Sequence, residues 1–257
     1  MGFKELLKGK LTEDELKLVR RSFDVIGDIA IVEIPKELEN KEKIIGEAIL
    51  KHNKHIKVVA KKLGKTQGVE RIRPVKIIAG ENRTKTIHKE NGCKFIVDIA
   101  KVFFTPRLST ERLRVIRQVK PGEEVLDMFA GVGPYAVPIG KKTHVHAVDI
   151  NKYAYDLLKH NIAINKSNVT PYLMDVRKVD VKADRIIMNL PHESHLFLDV
   201  AKRVSKDAIV HFYIIGTQDE LNKKKELIKR YGGSIINVVK CGEYAPRVSR
   251  WAIDFSF

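Results

Sequence analysis

Three acidic residues in the second half of the chain each follow a predicted strand: Asp127, Asp149 and Asp175. After the first of them comes FAGVG at 129–133, a glycine-containing turn that leads into a predicted helix. Glycines at such a turn let the backbone approach a ligand closely. An acid at the end of the second strand is where nucleotide-binding folds hold a ribose diol. The pattern therefore predicts a nucleoside site at the carboxyl edge of a parallel sheet.

The same turn lacks the features that hold phosphate groups. Its glycine spacing is not GxGxxG, and no Lys-Ser or Lys-Thr pair directly follows it. A dinucleotide and a phosphate-cradling loop are therefore not expected. A nucleoside that carries a positive charge and no phosphate suits the three acids better, and S-adenosylmethionine is such a ligand. Each acid could instead cap a helix at its turn, but the three together with FAGVG favour a methyltransferase.

A fourth predicted strand ends in IIMNLP at 186–191, which places Asn189 and Pro191 beside the same crevice. An Asn amide both donates and accepts hydrogen bonds, so it suits a purine edge. Methyltransferases that act on exocyclic amines typically carry Asn/Asp-Pro-Pro-aromatic here. This chain has Leu190 and His192 at two of those positions, which disfavours an exocyclic amine. A capping role for Asn189 at the following helix is the alternative.

The composition points to a polyanionic partner. The chain has 257 residues, of which 44% are hydrophobic; this suffices for a buried core and excludes a disordered chain. Its net charge of +16 at pH 7 favours nucleic acid ahead of an anionic membrane surface. A charge-rich thermophilic surface would account for 31% charged residues but not for the imbalance of sign.

Neither a membrane anchor nor a metal is expected from the sequence. No apolar run approaches the length of a membrane span, and the charged N-terminal stretch does not resemble a signal peptide, so we expect a cytoplasmic protein. Cys93 and Cys241 lie far apart and outside any CxxC pattern. Five histidines lack zinc-ligand spacing and are interpreted as surface residues or phosphate neighbours. They are His52, His55, His88, His192 and His195.

The predicted elements define an α/β protein of two domains. From about residue 120, short apolar strands alternate with amphipathic helices, which implies right-handed crossovers and a doubly wound, mostly parallel sheet. No helix separates the last two strands, so at least one of them should be antiparallel. A capping box at Thr12 and an Asn91-Gly92 hairpin turn mark the first part. We predict a small α/β domain at 1–105 and a Rossmann-like domain at 106–257, for which the three acids and FAGVG favour a methyltransferase.

Seven blocks of the sequence resemble one known family, the archaeal and eukaryotic type of tRNA (guanine(37)-N1)-methyltransferase. FAGVG alone would be weak evidence, whereas AGENRT, FTPRLSTER and MNLP together are specific. The blocks follow the family's order and span most of the chain. They are SFDVIGDIAIVEIP at 22–35, RIRP at 71–74, AGENRTKTIHKENG at 79–92, DIAKVFFTPRLSTERLR at 98–114, LDMFAGVGPYAVP at 126–138, DRIIMNLP at 184–191 and YAPR at 244–247.

The resemblance implies a class I domain preceded by a small RNA-contacting domain. It implies transfer of the methyl group of S-adenosylmethionine to N1 of the guanine 3′ to the tRNA anticodon. We expect a monomer that contacts the anticodon stem-loop. The implied catalytic residues are Glu111 as general base, Arg71 near guanine O6, and Asn189 and Pro191 in the guanine-holding loop. The expected cofactor-binding residues are Arg112, Asp127, Phe129, Gly131, Asp149, Ile150, Asp175, Val176 and Asn189. The expected RNA-binding residues are Arg71, Arg73, Arg83, Phe103 and Arg107.

The chemistry of guanine N1 suits these implied roles. N1 carries a proton and is a poor nucleophile until it loses that proton, so a base must accept it as the methyl group arrives. A fixed guanidinium can stabilise the negative charge that develops on O6. From the sequence alone, Glu111 could equally favour its helix dipole, and Arg71 and Arg73 could be phosphate contacts.

Other functions remain open at this point. A wybutosine-pathway enzyme would methylate a tricyclic guanine derivative at carbon, or transfer the aminocarboxypropyl arm of the same cofactor. Glu111 and the Asn-Leu-Pro block argue against the arm transferase. A non-catalytic RNA-binding relative would not need Glu111 and Asn189. Only the small domain and AGENRT argue against a DNA or protein methyltransferase. Relatives usually carry a further N-terminal domain that this chain is expected to lack.

Overall fold

A computed structural model describes residues 2–64, 68 and 74–257 of the chain. The contacts divide it into two units. The first comprises Met1–Glu90 and Lys94–Arg107, and the second comprises Asn91–Cys93 and Leu108–Phe257. Within the described residues, no helix combines the length and the apolar character that crossing a membrane would require.

The first unit is built on a four-stranded sheet in the order β1-β2-β3-β4. Strands β2 and β3 are parallel and the outer pairs are antiparallel. Its helices and strands are α1 Glu13–Leu18, β1 Asp24–Ile26, β2 Ile29–Val32, α2 Glu42–His52, β3 Val58–Lys62 and β4 Val75–Gly80, with 3-10 turns at Phe3–Leu7 and Lys36–Lys41. The predicted capping box is confirmed: the Thr12 hydroxyl accepts the Glu15 N–H at 3.2 Å, and the Glu15 carboxylate accepts the Thr12 N–H at 2.8 Å.

A separate two-stranded sheet contains the predicted hairpin. Its strands are β5 Lys85–Glu90 and β6 Cys93–Asp98. Asn91 and Gly92 between them both adopt positive φ, at 48° and 72°. A two-residue hairpin turn of this type needs left-handed backbone at both central positions, which Asn and Gly tolerate best. The hairpin prediction is confirmed.

The second unit is an α/β fold around a seven-stranded sheet in the order β12-β13-β11-β10-β7-β8-β9. Apolar strand residues such as Leu126, Ile186 and Phe212 are fully buried in its core. Its elements are α3 Ser109–Gln118, β7 Val125–Asp127, α4 Ala136–Ile139, β8 Val145–Asp149, α5 Lys152–Asn165, β9 Val169–Leu173, β10 Ala183–Met188, α6 Leu198–Val204, β11 Ser205–Gly216, α7 Gln218–Arg230, β12 Ser234–Ala245 and β13 Val248–Ser256, with 3-10 turns at Pro106–Leu108, Val176–Lys178 and Ser194–Phe197.

The strand order creates a crevice at the centre of this sheet. The chain runs outward through β7, β8 and β9 and then returns to β10 on the other side of β7, all in parallel. In open α/β sheets, ligands bind at such a switch point, outside the carboxyl ends of the strands. β13 is antiparallel to both β11 and β12, which confirms the predicted antiparallel strand.

Candidate active site

Asp149 connects the glycine turn after β7 to the end of β8. One carboxylate oxygen accepts the Gly131 N–H at 2.6 Å, and the other accepts the Asn151 N–H at 2.8 Å. The side chain of Asn151 then caps α5 by accepting the Tyr153 N–H at 2.9 Å. The helix cap at this turn is therefore Asn151, and Asp149 is left to fix the shape of the loop.

The two positions in the turn favour glycine for different physical reasons. Both adopt positive φ, 55° at Gly131 and 89° at Gly133. A Cβ at Gly133 would lie 2.6 Å from Leu158 and 2.7 Å from Val137, so this glycine permits close packing of the turn on α4 and α5. A Cβ at Gly131 would meet no atom within 4 Å in the part of the chain that the structure describes. Open space beside the Gly131 backbone is what a bound ligand needs.

Asp127 is the residue of the crevice whose surroundings most clearly favour a positively charged ligand. Its side chain is buried, and among the described residues neither carboxylate oxygen has a hydrogen-bond partner. Burial raises the pKa of Asp127 to about 7, although the nearby amides of Phe129 and Ala136 lower it part of the way back. A buried, unpaired carboxylate is costly, and a positively charged ligand would remove that cost.

Four further predicted cofactor residues lie in the loops of the crevice: one caps a turn, one is buried, and two are at least partly exposed. Asp175 caps the 3-10 turn after β9, where it accepts the Arg177 N–H at 2.9 Å, so the capping alternative holds for this acid. Val176 beside it is buried in the core. Ile150 is exposed, and half-buried Phe129 packs edge-on against Phe197 with ring centroids 5.1 Å apart. Apolar side chains at this edge can contact an aromatic base.

Glu111 lies on the first turn of α3 and is buried. Its two carboxylate oxygens each accept a hydrogen bond from Arg114 at 2.8 Å, and one also accepts the Tyr213 hydroxyl at 2.6 Å. Tyr213 in turn accepts the hydroxyl of Tyr135 at 3.0 Å. Tyr135 lies two residues after Gly133 of the glycine turn, so this chain of hydroxyls connects Glu111 to the cofactor loop. Arg112, the neighbour of Glu111, is buried as well.

Arg114 extends the network to the centre of the sheet. Its guanidinium also donates to both oxygens of Asp254, one of which is 2.7 Å from His211 Nδ1. The other ring nitrogen, His211 Nε2, lies 2.8 Å from an Arg185 N–H. Because a guanidinium only donates, Nε2 must accept and Nδ1–H must donate to Asp254. Burial lowers the pKa of His211, which agrees with this neutral form.

Asp254 is the anion that balances Arg114. Burial alone would raise the pKa of Asp254, but hydrogen bonds from His211 and Arg114 outweigh it and lower the pKa to about 2. Arg185 completes the series through paired hydrogen bonds to Glu123 at 2.7 and 3.0 Å. The network therefore alternates acceptors and donors from Glu111 inward, with the carboxylate of Glu111 at its end.

The loop after β10 is held by a serine that the sequence analysis did not single out. Ser194 Oγ lies 2.8 Å from the Met188 carbonyl and 2.9 Å from the Leu190 carbonyl, and it accepts the Leu190 N–H at 3.2 Å. The helix predicted after Pro191 starts late, with a 3-10 turn and then α6 at Leu198. The side-chain amide oxygen of Asn189, Oδ1, lies 3.5 Å from an Arg250 guanidinium nitrogen that donates to it.

Three of the predicted RNA-binding residues, Arg83, Phe103 and Arg107, belong to the first unit. Arg71 and Arg73 lie outside the described residues. Arg83 donates to both Asp28 and Glu81, and hydrogen bonds from Arg83 lower the pKa of Asp28 despite its partial burial, so this arginine stabilises its own unit.

Phe103 and Arg107 expose more of their side chains. Phe103 is 37% exposed, and the Arg107 side chain is 66% exposed, although its Nε also donates to Asp24 at 2.6 Å.

The interpretation of His88 as a surface residue is wrong. Its side chain is 14% exposed and its Nδ1 accepts the Gly27 N–H at 3.1 Å, because β5 packs this ring beside β1.

Two family models match the chain: the TRM5/TYW2 methyltransferase domain over residues 86–236, and the TYW2 N-terminal domain over residues 3–84. The chain is 46% identical to the tRNA (guanine(37)-N(1))-methyltransferase Trm5b of Pyrococcus abyssi over 244 residues, which cover 91% of this chain and 74% of that protein. Its structure is similar to that of aTrm5 in complex with tRNALeu, with TM-score 0.92, 39% identity and coverage of 100% and 78% of the two chains. It is also similar to Methanocaldococcus jannaschii TYW2 in complex with AdoMet, with TM-score 0.69, 30% identity and coverage of 92% and 99%.

The chain belongs to the TRM5/TYW2 methyltransferase family. It is an S-adenosylmethionine-dependent enzyme of the tRNA (guanine(37)-N1)-methyltransferase type. The resemblance read from the sequence is thereby confirmed, as is the class I fold with a small N-terminal domain.

The residues that line the crevice of this chain are suited to S-adenosylmethionine. Asp127 offers an unpaired buried carboxylate to a cationic ligand, and the backbone of Gly131 adjoins open space. Asp149 lies at the end of β8, the position at which a ribose diol is held in this fold. Phe129 and Ile150 provide partly exposed apolar surface for adenine.

Proposed function

We propose that this chain transfers the methyl group of S-adenosylmethionine to N1 of guanine 37 in tRNA, with Glu111 as the general base. One observation carries the proposal: the buried Glu111 carboxylate is oriented by Arg114 and Tyr213 and is connected through Tyr135 to the cofactor loop. A base for guanine N1 must lie within reach of the methyl donor. The relative from Pyrococcus abyssi, whose name specifies this reaction, supports the choice of substrate.

The contacts of Glu111 suit proton transfer. All three are donated to it, as an ionised carboxylate requires, so its lone pairs are directed and its rotamer is fixed. When Glu111 accepts the proton of N1, Arg114 keeps its second anion, Asp254. The guanidinium is then not left buried without a partner, which lowers the cost of neutralising the base.

Asp127 and Asp149 are the residues that would hold the amino acid tail and the ribose of the cofactor. When bound, S-adenosylmethionine supplies an electrophilic methyl group on a sulfonium. The unpaired carboxylate of Asp127 would accept from the cationic ligand, and the turn fixed by Asp149 would shape the crevice. Phe129, Ile150 and Val176 would limit access of water to it.

The guanine would be held by the loop that Asn189 and Pro191 begin. An amide side chain can pair with the edge of a purine, and Ser194 makes the backbone of this loop rigid. Arg107 and Phe103 are the described residues of the first unit that we propose for contact with the anticodon stem-loop, with Arg71 and Arg73 as further predictions. The monomeric state and the cytoplasmic location also stay predictions.

The test is methyl transfer from labelled S-adenosylmethionine to a tRNA transcript with guanine at position 37, compared with the same transcript carrying adenine there. We expect label on the guanine transcript only. Glu111→Gln should bind S-adenosylhomocysteine normally and lose about 100-fold or more in single-turnover rate, the usual contribution of a general base. Glu226→Gln, at an exposed position of α7, is the matched control and should retain the rate. Label on both transcripts, or full activity of Glu111→Gln, would contradict the proposal.

The anticodon stem-loop can be tested separately. Equal methylation rates on whole tRNA and on an isolated stem-loop would support recognition of that part alone. Failure on the stem-loop would mean that other parts of the tRNA are required.

A wybutosine-type activity is the second candidate, because residues 3–84 match the TYW2 N-terminal domain and the fold is similar to that of a TYW2 enzyme. Such an activity would act on a tricyclic guanine derivative. Mass spectrometry of the modified nucleoside distinguishes the gain of a methyl group from the gain of an aminocarboxypropyl arm. Reaction with the tricyclic precursor alone would favour this candidate over guanine methylation.

A further inference from the structure

A second set of converging side chains lies at the opposite end of the central strands. Glu124 immediately precedes β7, while His144 precedes β8 and His146 is its second residue. One carboxylate oxygen of Glu124 is 2.7 Å from His144 Nδ1 and 3.3 Å from His146 Nε2. The three candidate ligand atoms all lie within 4.8 Å of one another. We call Glu124, His144 and His146 the His-Glu cluster.

The sheet register makes this arrangement a property of the backbone. His144 and His146 are two residues apart, so their side chains leave the same face of the sheet. Strands β7 and β8 pair Leu126 with His146, which sets Glu124 opposite His144 on that face. The three side chains therefore converge because two neighbouring parallel strands present them in one register.

The far nitrogen of each imidazole is also held. His144 Nε2 lies 2.8 Å from the hydroxyl of Thr170, and His146 Nδ1 lies 2.9 Å from the hydroxyl of Tyr172. Thr170 and Tyr172 are both on β9, the next strand of the sheet. Metal-binding histidines typically have their second nitrogen fixed in this way by an outer hydrogen-bond partner. The cluster thus has an inner set of three ligand atoms and an outer set of two hydroxyls.

We propose that the His-Glu cluster binds one divalent transition-metal ion, with Zn²⁺ as the best match. Two imidazoles and one carboxylate are a known ligand set for zinc with an open fourth position. The charge of two neutral histidines and one carboxylate complements a divalent cation. The side chains are 26%, 16% and 40% exposed for His144, His146 and Glu124, so water can reach the site and complete the coordination.

The proton balance of binding is simple. Without metal, Glu124 accepts hydrogen bonds, so His144 Nδ1 and His146 Nε2 carry the protons and the far nitrogens accept from the hydroxyls. With metal, each imidazole changes tautomer: the metal takes the near nitrogen, and the far N–H donates to Thr170 or Tyr172. No net proton is released.

The expected role of the metal is structural. Glu124 and Asp127 lie at opposite ends of β7, about 10 Å apart along the strand, so the ion would not touch the cofactor crevice. It would connect the amino ends of β7 and β8. The expectation of no metal rested on five other histidines, and the His-x-His pattern at 144–146 is the signal that points to this site.

The test is a Zn²⁺ titration of the metal-stripped full chain against a chromophoric chelator at pH 7.5. We expect one zinc ion per chain, a higher Tm with zinc, and unchanged methyl transfer. His144→Asn and His146→Asn should each lower the zinc affinity at least tenfold. His160→Asn, at an exposed histidine of α5, is the matched control and should bind as the wild type does. Absence of zinc binding by the wild type, or undiminished affinity of the two cluster variants, would overturn the proposal.

Cobalt provides a second measurement that needs no variant. Co²⁺ bound to the wild-type chain should give visible d–d absorption without a thiolate charge-transfer band, because the cluster contains no cysteine. A thiolate band would instead assign the bound metal to Cys93 or Cys241 and would overturn the site. This measurement keeps the proposal open to refutation even if His146→Asn fails to fold.

Discussion

Replacing Asp127 by Asn should make the cofactor-free protein more stable while weakening cofactor binding. The carboxylate is buried and unpaired, and burial raises its pKa from the ordinary 3.8 to about 7. A raised carboxyl pKa means that the folded state holds its proton more tightly than the unfolded chain does. The contribution of Asp127 to the free energy of unfolding is therefore highest below about pH 3.8, falls as the pH rises towards about 7, and is constant above it.

The size of this penalty follows from the pKa difference. Three pKa units correspond to about 4 kcal/mol above pH 7, as an upper limit. An Asn amide at the same position would also lack hydrogen-bond partners, which should lower the free energy of unfolding by about 1–3 kcal/mol. We expect Asp127→Asn to be about 1–3 kcal/mol more stable than the wild type at pH 8, and to lose this advantage at pH 5. Thermal unfolding followed by circular dichroism at both pH values measures it.

Cofactor binding should move in the opposite direction. Calorimetric titration with S-adenosylhomocysteine and S-adenosylmethionine should show at least tenfold weaker binding to Asp127→Asn at pH 8. Wild-type affinity should rise roughly tenfold between pH 6 and pH 8 as Asp127 ionises, and the variant should lack that part of the rise. Asp199→Asn, the same change at an exposed position of α6, is the control. A variant that is less stable at pH 8, or that binds the cofactor normally, would refute the reasoning.

Four further variants test the glycine turn and the hydrogen-bond network. Tyr213→Phe should slow single-turnover methyl transfer about tenfold with unchanged cofactor affinity, because Glu111 loses its shortest hydrogen bond, at 2.6 Å. Gly131→Ala should lower the free energy of unfolding by only about 1 kcal/mol, because of its positive φ, but should weaken cofactor binding. Gly133→Ala should lower the free energy of unfolding by several kcal/mol, because its Cβ would overlap two side chains. Burial lowers the pKa of His211, so between pH 7 and pH 5 the unfolded chain binds a proton that the folded protein refuses, and this contribution to stability opposes that of Asp127. His211→Gln removes it, so lowering the pH from 7 to 5 should raise Tm more, or reduce it less, in this variant than in the wild type.

Tyr213→Phe and His211→Gln each have a matched control on the surface of the same unit. Tyr153→Phe removes a hydroxyl from an exposed tyrosine of α5, and His160→Gln removes an exposed imidazole. Both should behave as the wild type. Equal rates for Tyr213→Phe and Tyr153→Phe would contradict the orienting role of Tyr213. Equal stability losses for the two glycine variants would contradict the distinction between packing and open space.

Much of the fold follows from local sequence patterns. Alternation of strands and helices predicts the parallel sheet, and the turn residues Asn91 and Gly92 predict their hairpin, because both signals act over a few residues. Asp127 and Gly131 were predicted as cofactor residues for the same reason: the strand, the acid and the glycine turn adjoin in the chain. That β13 enters the sheet between β11 and β12 does not follow from the sequence, since strand order depends on long-range pairing.

The same distinction between local sequence signals and long-range contacts applies to the candidate site. Glu111 and Arg114 are one helical turn apart, so the sequence could have suggested their ion pair. Tyr213 reaches Glu111 across 102 residues, and Asp254 reaches Arg114 across 140. Those contacts depend on the register of β11 and β13 and on how α3 packs, and no local pattern distinguishes these two side chains from other strand residues. The sequence by itself indicated the cofactor turn, and its resemblance to a family implied Glu111 as the base. Only the tertiary structure decided which distant side chains orient that carboxylate, because only pairing and packing bring them within hydrogen-bond distance.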